Sequence, residues 1–169
     1  IHMGSGILPV AIHNNKFYFL FSRAVYHKND DDNDDTNRWS DFGGKTEKNE
    51  TDKETALREG FEESGGFIGN KKKLNYLIEK NCVTTINCHK YKSFIIMIDY
   101  DDTLPNRFET DFNNIKKLNP EKICKDGLYE KDKLKWIEFS ELKLYNNYFR
   151  KHYRRIINKI IKTRAFHLL

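Results

Sequence analysis

Three features of the sequence predict a single mixed α/β domain: β-rich runs at the start, one short acidic helix in the middle and an amphipathic helix at the end. The chain has 169 residues, the size of one domain. Apolar residues make up 38% and aromatics 14%, enough to furnish a core. No run of about eighteen apolar residues occurs, which excludes a membrane-spanning helix.

Residues 1–6 read as a cloning scar, leaving 7–169 as the domain. Residues 8–13 (LPVAIH) and 16–23 (KFYFLFSR) are β-rich and joined by Asn14-Asn15, a dipeptide suited to a tight hairpin turn. Five aspartates between positions 29 and 35 predict an exposed, mobile loop. Residues 39–42 read as extended and stopped by Gly43-Gly44. Thr51 is a good N-cap, and Glu54 three residues on completes a capping box. Helical spacing then runs to Ser64, where Gly65-Gly66 supplies the stop. Strands are expected over 76–86 and 92–100, polar loop over 101–133 and a strand over 134–139. The last element is a helix, with Phe149, Tyr153, Ile156, Ile157, Ile160 and Ile161 on one stripe.

The stretch 44–66, GKTEKNETDKETALREGFEESGG, carries the chemistry. On a helix Glu59, Glu62 and Glu63 share one face, and Arg58 can pair with Glu62 one turn on. Three like charges on one turn repel, and a divalent cation relieves them. An all-oxygen set suits Mg²⁺ or Mn²⁺ rather than zinc. The same spacing is found on ordinary solvated acidic helices.

Gly44, five residues, Glu50, seven residues, then Arg58-Glu59-Gly60-Phe61-Glu62-Glu63-Ser64-Gly65-Gly66 resembles the Nudix box of the Nudix hydrolases. Gly60 and Gly66 depart from the pattern, which usually has aliphatic residues there. Gly60 should weaken the helix by up to about 1 kcal/mol relative to alanine. The resemblance implies an α/β/α sandwich with a mixed β-sheet and a catalytic box helix. It implies hydrolysis of a nucleoside diphosphate linked to another group X, by attack of a metal-activated water on the pyrophosphate. Glu59, Glu62 and Glu63 would be metal ligands, joined by the carbonyl of Gly43, with Mg²⁺ or Mn²⁺ as the ion. Glu50 and Gly44 would support the ligand helix, together with Arg58. Glu59 or Glu130 would be the general base, Glu109 and Asp101 or Asp102 being weaker alternatives. Arg23 would clamp a phosphate, and Trp39 and Phe42 would stack on a base; an exposed arginine and core aromatics are the plainer readings.

The net charge of +5 averages two unlike halves. No acidic residue follows Glu141, and the C-terminal segment offers Lys151, Arg154, Arg155, Lys159 and Lys162 as RNA contacts. Removal of an mRNA 5′ cap is therefore the alternative activity, and a Nudix-like binding module without catalysis a second one. A nucleotide-type small molecule is the expected partner, with a homodimer as a further option and no membrane. Cys82, Cys88 and Cys124 form neither a disulfide framework nor a zinc motif, and they fit a reducing, cytoplasmic compartment.

Overall fold

Alternation along each strand decides which side of the sheet a residue faces. In the computed structural model, which describes residues 3–25 and 35–169, seven strands follow this rule and four α-helices accompany them. The strands are β1 (Gly4–His13), β2 (Lys16–Ala24), β3 (Trp39–Ser40), β4 (Phe42–Lys45), β5 (Cys82–Cys88), β6 (Tyr91–Met97) and β7 (Lys131–Glu138). The helices are α1 (Asp52–Ser64), α2 (Lys71–Lys80), α3 (Leu104–Leu118) and α4 (Arg154–Ile161).

The strands form one mixed sheet in the order β3-β2-β1-β6-β5, with β4 also pairing to β1 and β7 to β2. The β1–β6 pair is parallel; the others are antiparallel. Both faces are buried. Leu8, Val10, Phe19, Phe21, Ile95 and Ile137 pack with Ile156, Ile157 and Ile160 of α4. Their sequence neighbours Ile7, Leu20, Phe94 and Ile96, with Leu134 of β7, pack on the other face with Ala56 of α1, Leu74 of α2 and Phe108 of α3. Each fully buried side chain of this kind contributes about 2 kcal/mol. The result is the expected α/β/α sandwich.

The hairpin forms as expected, with His13 opposite Lys16 and positive φ at Asn14 (50°) and Asn15 (58°), which suits a primed turn. Thr51 makes the capping box, its hydroxyl accepting from the Glu54 amide, and Gly65 ends α1 in the left-handed region at φ 57°. Residues 4–6 are the first three positions of β1, paired to β4 on one side and β6 on the other. Three expectations are corrected. Gly43-Gly44 does not stop a strand but lies inside β4, because the backbones cross too closely for side chains. A Cβ on Gly43 would sit 2.7 Å from the Gly6 Cα. The strand expected from 76 splits into the end of α2 and β5; Asn70 caps α2 by accepting from the Lys73 amide, and Leu74, Leu77 and Ile78 line its buried face. Most of the expected loop 101–133 is α3 and the start of β7, with Leu104, Phe108 and Phe112 buried at helical spacing. The aspartate run lies outside the described residues except Asp35. Among the described residues no helix is long and apolar enough to cross a membrane.

Candidate active site

The last two turns of α1 lie against β4, and that contact builds the site. Arg58 is its hub. Its Nε and Nη2 donate to the two carboxylate oxygens of Glu50 at 2.7 and 3.0 Å, and Nη2 also reaches the Lys45 carbonyl at 3.0 Å. Its Nη1 donates to Glu59 Oε1 at 2.7 Å and to Glu62 Oε2 at 3.4 Å. One guanidinium thus ties the loop before the helix to two of the three candidate ligands, a bidentate geometry that lysine cannot reproduce. The Arg58 bonds, helped by the Glu47 amide and the Thr55 hydroxyl, hold the Glu50 carboxyl down to about 2.

Glu63 is buried and points elsewhere. Its Oε2 accepts from the Gly43 amide at 2.8 Å and lies 3.6 Å from Lys131 Nζ. Burial pushes its carboxyl well above the usual carboxylate range; Lys131 opposes this, and Glu59, Glu130 and Asp41 add to it. Burial also raises Glu59, with Glu62 and Glu130 adding to the shift against Arg58. Glu62 is raised too, again first by burial.

Lys131, 2% exposed, donates to Ser40 Oγ at 3.1 Å as well as facing Glu63. Beyond it, Asp41 accepts from the Tyr91 hydroxyl at 2.8 Å and from Ser93 Oγ at 2.9 Å, and Ser93 Oγ lies 3.1 Å from the Tyr153 hydroxyl. Burial pushes Asp41 up to about 6 against these bonds and the Lys131 charge. Neither Lys131 nor Asp41 stood out in the sequence. A lysine at the head of a strand and an aspartate two residues before a glycine pair look like surface residues until the sheet closes over them.

The other candidates distribute unevenly. Glu130 is half-buried, and its charge acts on both Glu59 and Glu63. Gly43 contributes its N–H, to Glu63, and Gly44 supplies room: a Cβ there would lie 2.4 Å from Glu59 Oε1. Arg23 is held by Asp132, with Nε to Oδ1 at 2.9 Å and Nη2 to Oδ2 at 2.5 Å, so its charge is already paired. Phe42 is fully buried, which removes it as a base-stacking surface, and Trp39 packs against the α4-side core. Glu109 pairs with Lys133 at 2.9 Å, and Asp101 accepts from the Thr103 amide ahead of α3 and pairs with Arg107. Aromatic walls occur instead on the far side of α1. Phe61, Phe67, Phe108, Phe112 and Tyr129 line a cavity of about 190 Å³ that reaches Glu62, Glu63 and Lys131.

Glu59, Glu62 and Glu63 do not converge on one point: Glu59 turns to Arg58 and Glu63 to Gly43 and Lys131. Among the described residues no three His, Cys, Asp or Glu side chains are gathered closely enough to hold a metal ion. The chemistry of the donor set nonetheless fits a hard divalent cation. Burial and mutual repulsion disfavour the ionised forms of these carboxylates, and a cation held by oxygen ligands would offset both.

No family model and no curated protein matches the sequence. Solved structures do. A C. elegans Ap4A hydrolase binary complex is 17% identical, with a TM-score of 0.56 over 97% of each chain. RenU, a Nudix hydrolase from M. smegmatis, is 11% identical, with a TM-score of 0.54 over 97% of this chain and 88% of that one. A bifunctional NMN adenylyltransferase/ADP ribose pyrophosphatase from Francisella tularensis, complexed with AMP and a Mn ion, is 16% identical; its TM-score is 0.53 over 96% of this chain and 42% of its own. The sandwich built around the α1 carboxylates is the fold of the Nudix hydrolases.

Proposed function

We propose that the chain is a divalent-cation-dependent pyrophosphohydrolase that cleaves a nucleoside diphosphate linked to another moiety. The observation that carries this reading is the placing of Glu59, Glu62 and Glu63 on the last turns of α1, braced by Arg58, Gly43 and Gly44. That the similar structures include an Ap4A hydrolase and an ADP ribose pyrophosphatase supports it.

Glu59, Glu62 and Glu63 would hold Mg²⁺ or Mn²⁺. A bound cation of this kind neutralises phosphate charge and makes water a better nucleophile at neutral pH. The chain's own residues supply the rest. Arg58 keeps Glu59 and Glu62 fixed, so that little reorganisation is left to the moment of reaction. Glu59 is the first candidate to take the water's proton at its carboxylate, and Glu130, whose charge reaches the same group, is the second. Lys131 favours the ionised form of Glu63 against its burial. The aromatic cavity beside Glu62 offers a place for a base or another flat group.

The reading is tested by following product formation from diadenosine tetraphosphate, ADP-ribose, nucleoside triphosphates and capped RNA, with Mg²⁺ or with EDTA. At least one substrate should be cut within its phosphoanhydride chain, with Mg²⁺ only. Binding without turnover across the panel would favour a non-catalytic module instead.

A further inference from the structure

A groove of about 690 Å³ opens beside Gly43 and Gly44 and is used by nothing described so far. Lys45 of β4, His89 and Lys90 of the β5–β6 turn, Lys151 and His152 of a short 3-10 turn and Arg155 of α4 line it. All six are exposed, and among the described residues no acidic side chain lines the groove. His89 sits at φ 52° on its turn and meets Arg155 across the groove. At the rim Arg150 pairs with Asp35, Nε to Oδ2 at 3.4 Å.

Like charges drawn from positions so far apart in the chain repel one another, and a groove lined by one sign of charge focuses an anion. The C-terminal cations do not act as one surface. Arg154 is turned to the carbonyls of Phe149 and Asn147, and Lys159 to the carbonyl of Asn87. Lys162 lies outside the groove, whereas Lys151 and Arg155 join Lys45 and Lys90 within it.

The groove starts at the two glycines that hold the candidate reaction centre, since the Gly43 amide binds Glu63 and Gly44 packs against Glu59. A small nucleotide carries its phosphates in one cluster, which the α1 site would occupy. A phosphodiester strand carries one charge per nucleotide along its length and suits cations spread over several elements. We propose that this groove binds the backbone of a single-stranded nucleic acid joined to the scissile pyrophosphate, so that the linked moiety is an oligonucleotide. The assignment rests on the pyrophosphohydrolase reading for the reaction at the strand's end, and backbone binding is measurable without it.

The test compares wild type with a Lys90→Glu/Arg155→Glu double variant and a Lys117→Glu/Lys122→Glu variant of equal charge change on α3 and its C-terminal flank. Anisotropy of a fluorescein-labelled 12-nucleotide RNA is followed over a salt series in EDTA. The groove variant should bind about tenfold or more weakly, and the log–log salt slope should shrink by about 1.4, from two phosphate contacts at ~0.7 each for a single strand. The α3 variant should bind as wild type does, and the groove variant should hydrolyse diadenosine tetraphosphate within about twofold of the wild-type rate. Equal weakening by both variants, or none by either, would overturn the proposal. Loss of dinucleotide hydrolysis by the groove variant would do so too, as would its release from phosphatidylserine vesicles with RNA affinity unchanged. Groove-dependent RNA binding by a wild-type protein that cuts no pyrophosphate would uphold the groove and refute the hydrolase reading alone.

Discussion

Gly44 is packed so tightly that a methyl group there would lie 2.4 Å from the Glu59 Oε1. That oxygen is the far end of a flexible side chain, so Gly44→Ala displaces the carboxylate more than it disturbs the fold. Hydrolysis should fall by about 10- to 100-fold, while urea stability should change by less than about 1 kcal/mol; equal losses in both would mean that the glycine serves the fold rather than the site. Glu50 gives a pH-dependent check. Its folded carboxyl, held down to about 2 against 4.5 as the ordinary value, contributes stability above pH 4.5 that is lost as pH falls toward 2. The stability difference between wild type and Glu50→Gln should therefore shrink across that window in chemical denaturation, and a constant difference would contradict the Arg58 pairing. The box residues were legible in the sequence because their spacing carries them. Lys131 and Asp41 were not, since their burial comes from strand pairing between distant segments.

Helix α1 shows why a departure from its motif is tolerated. Gly60 weakens the helix by propensity, yet a Cβ there would lie 2.8 Å from Ile7 Cδ1, and Ile7 is fully buried. Glycine lets α1 sit directly on β1. Gly60→Ala gains up to about 1 kcal/mol of helix propensity and loses about 1–3 kcal/mol to overpacking, so a thermal melt should show net destabilisation. A raised melting temperature would mean that Ile7 moves aside. The same element level explains what the sequence concealed. Capping chemistry gave α1 away at both ends, and the Asn-Asn turn gave away the first hairpin. In α2 the apolar cluster Leu74, Leu77 and Ile78 runs close to the β-branched start of β5, and the two merge into one strand-like stretch. In α3 the Leu104, Phe108 and Phe112 stripe is interleaved with Asn106, Arg107, Glu109, Thr110 and Asp111, and the Thr103 side chain makes no capping hydrogen bond to the helix backbone.

At the scale of the whole molecule, the sheet separates two chemistries. The acidic α1 face meets the start of β7 and brings Glu130 and Lys131 to the glutamates. The β4 edge joins this centre to a basic groove built from the β5–β6 turn and the residues around the start of α4. The mixed α/β class was legible because strand and helix periodicities differ. The grouping of cations was not, since it depends on which loops the sheet order brings together. On this reading the +5 net charge is divided between a site that would favour a cation and a groove that would favour an anion. The most direct measurement is the Mg²⁺-dependent hydrolysis rate of the best substrate in the panel for wild type, Glu59→Gln and Glu63→Gln. Each variant should be correctly folded by circular dichroism and slower by about 100-fold or more, and wild-type rates in both variants would contradict the assignment of the α1 carboxylates to the reaction.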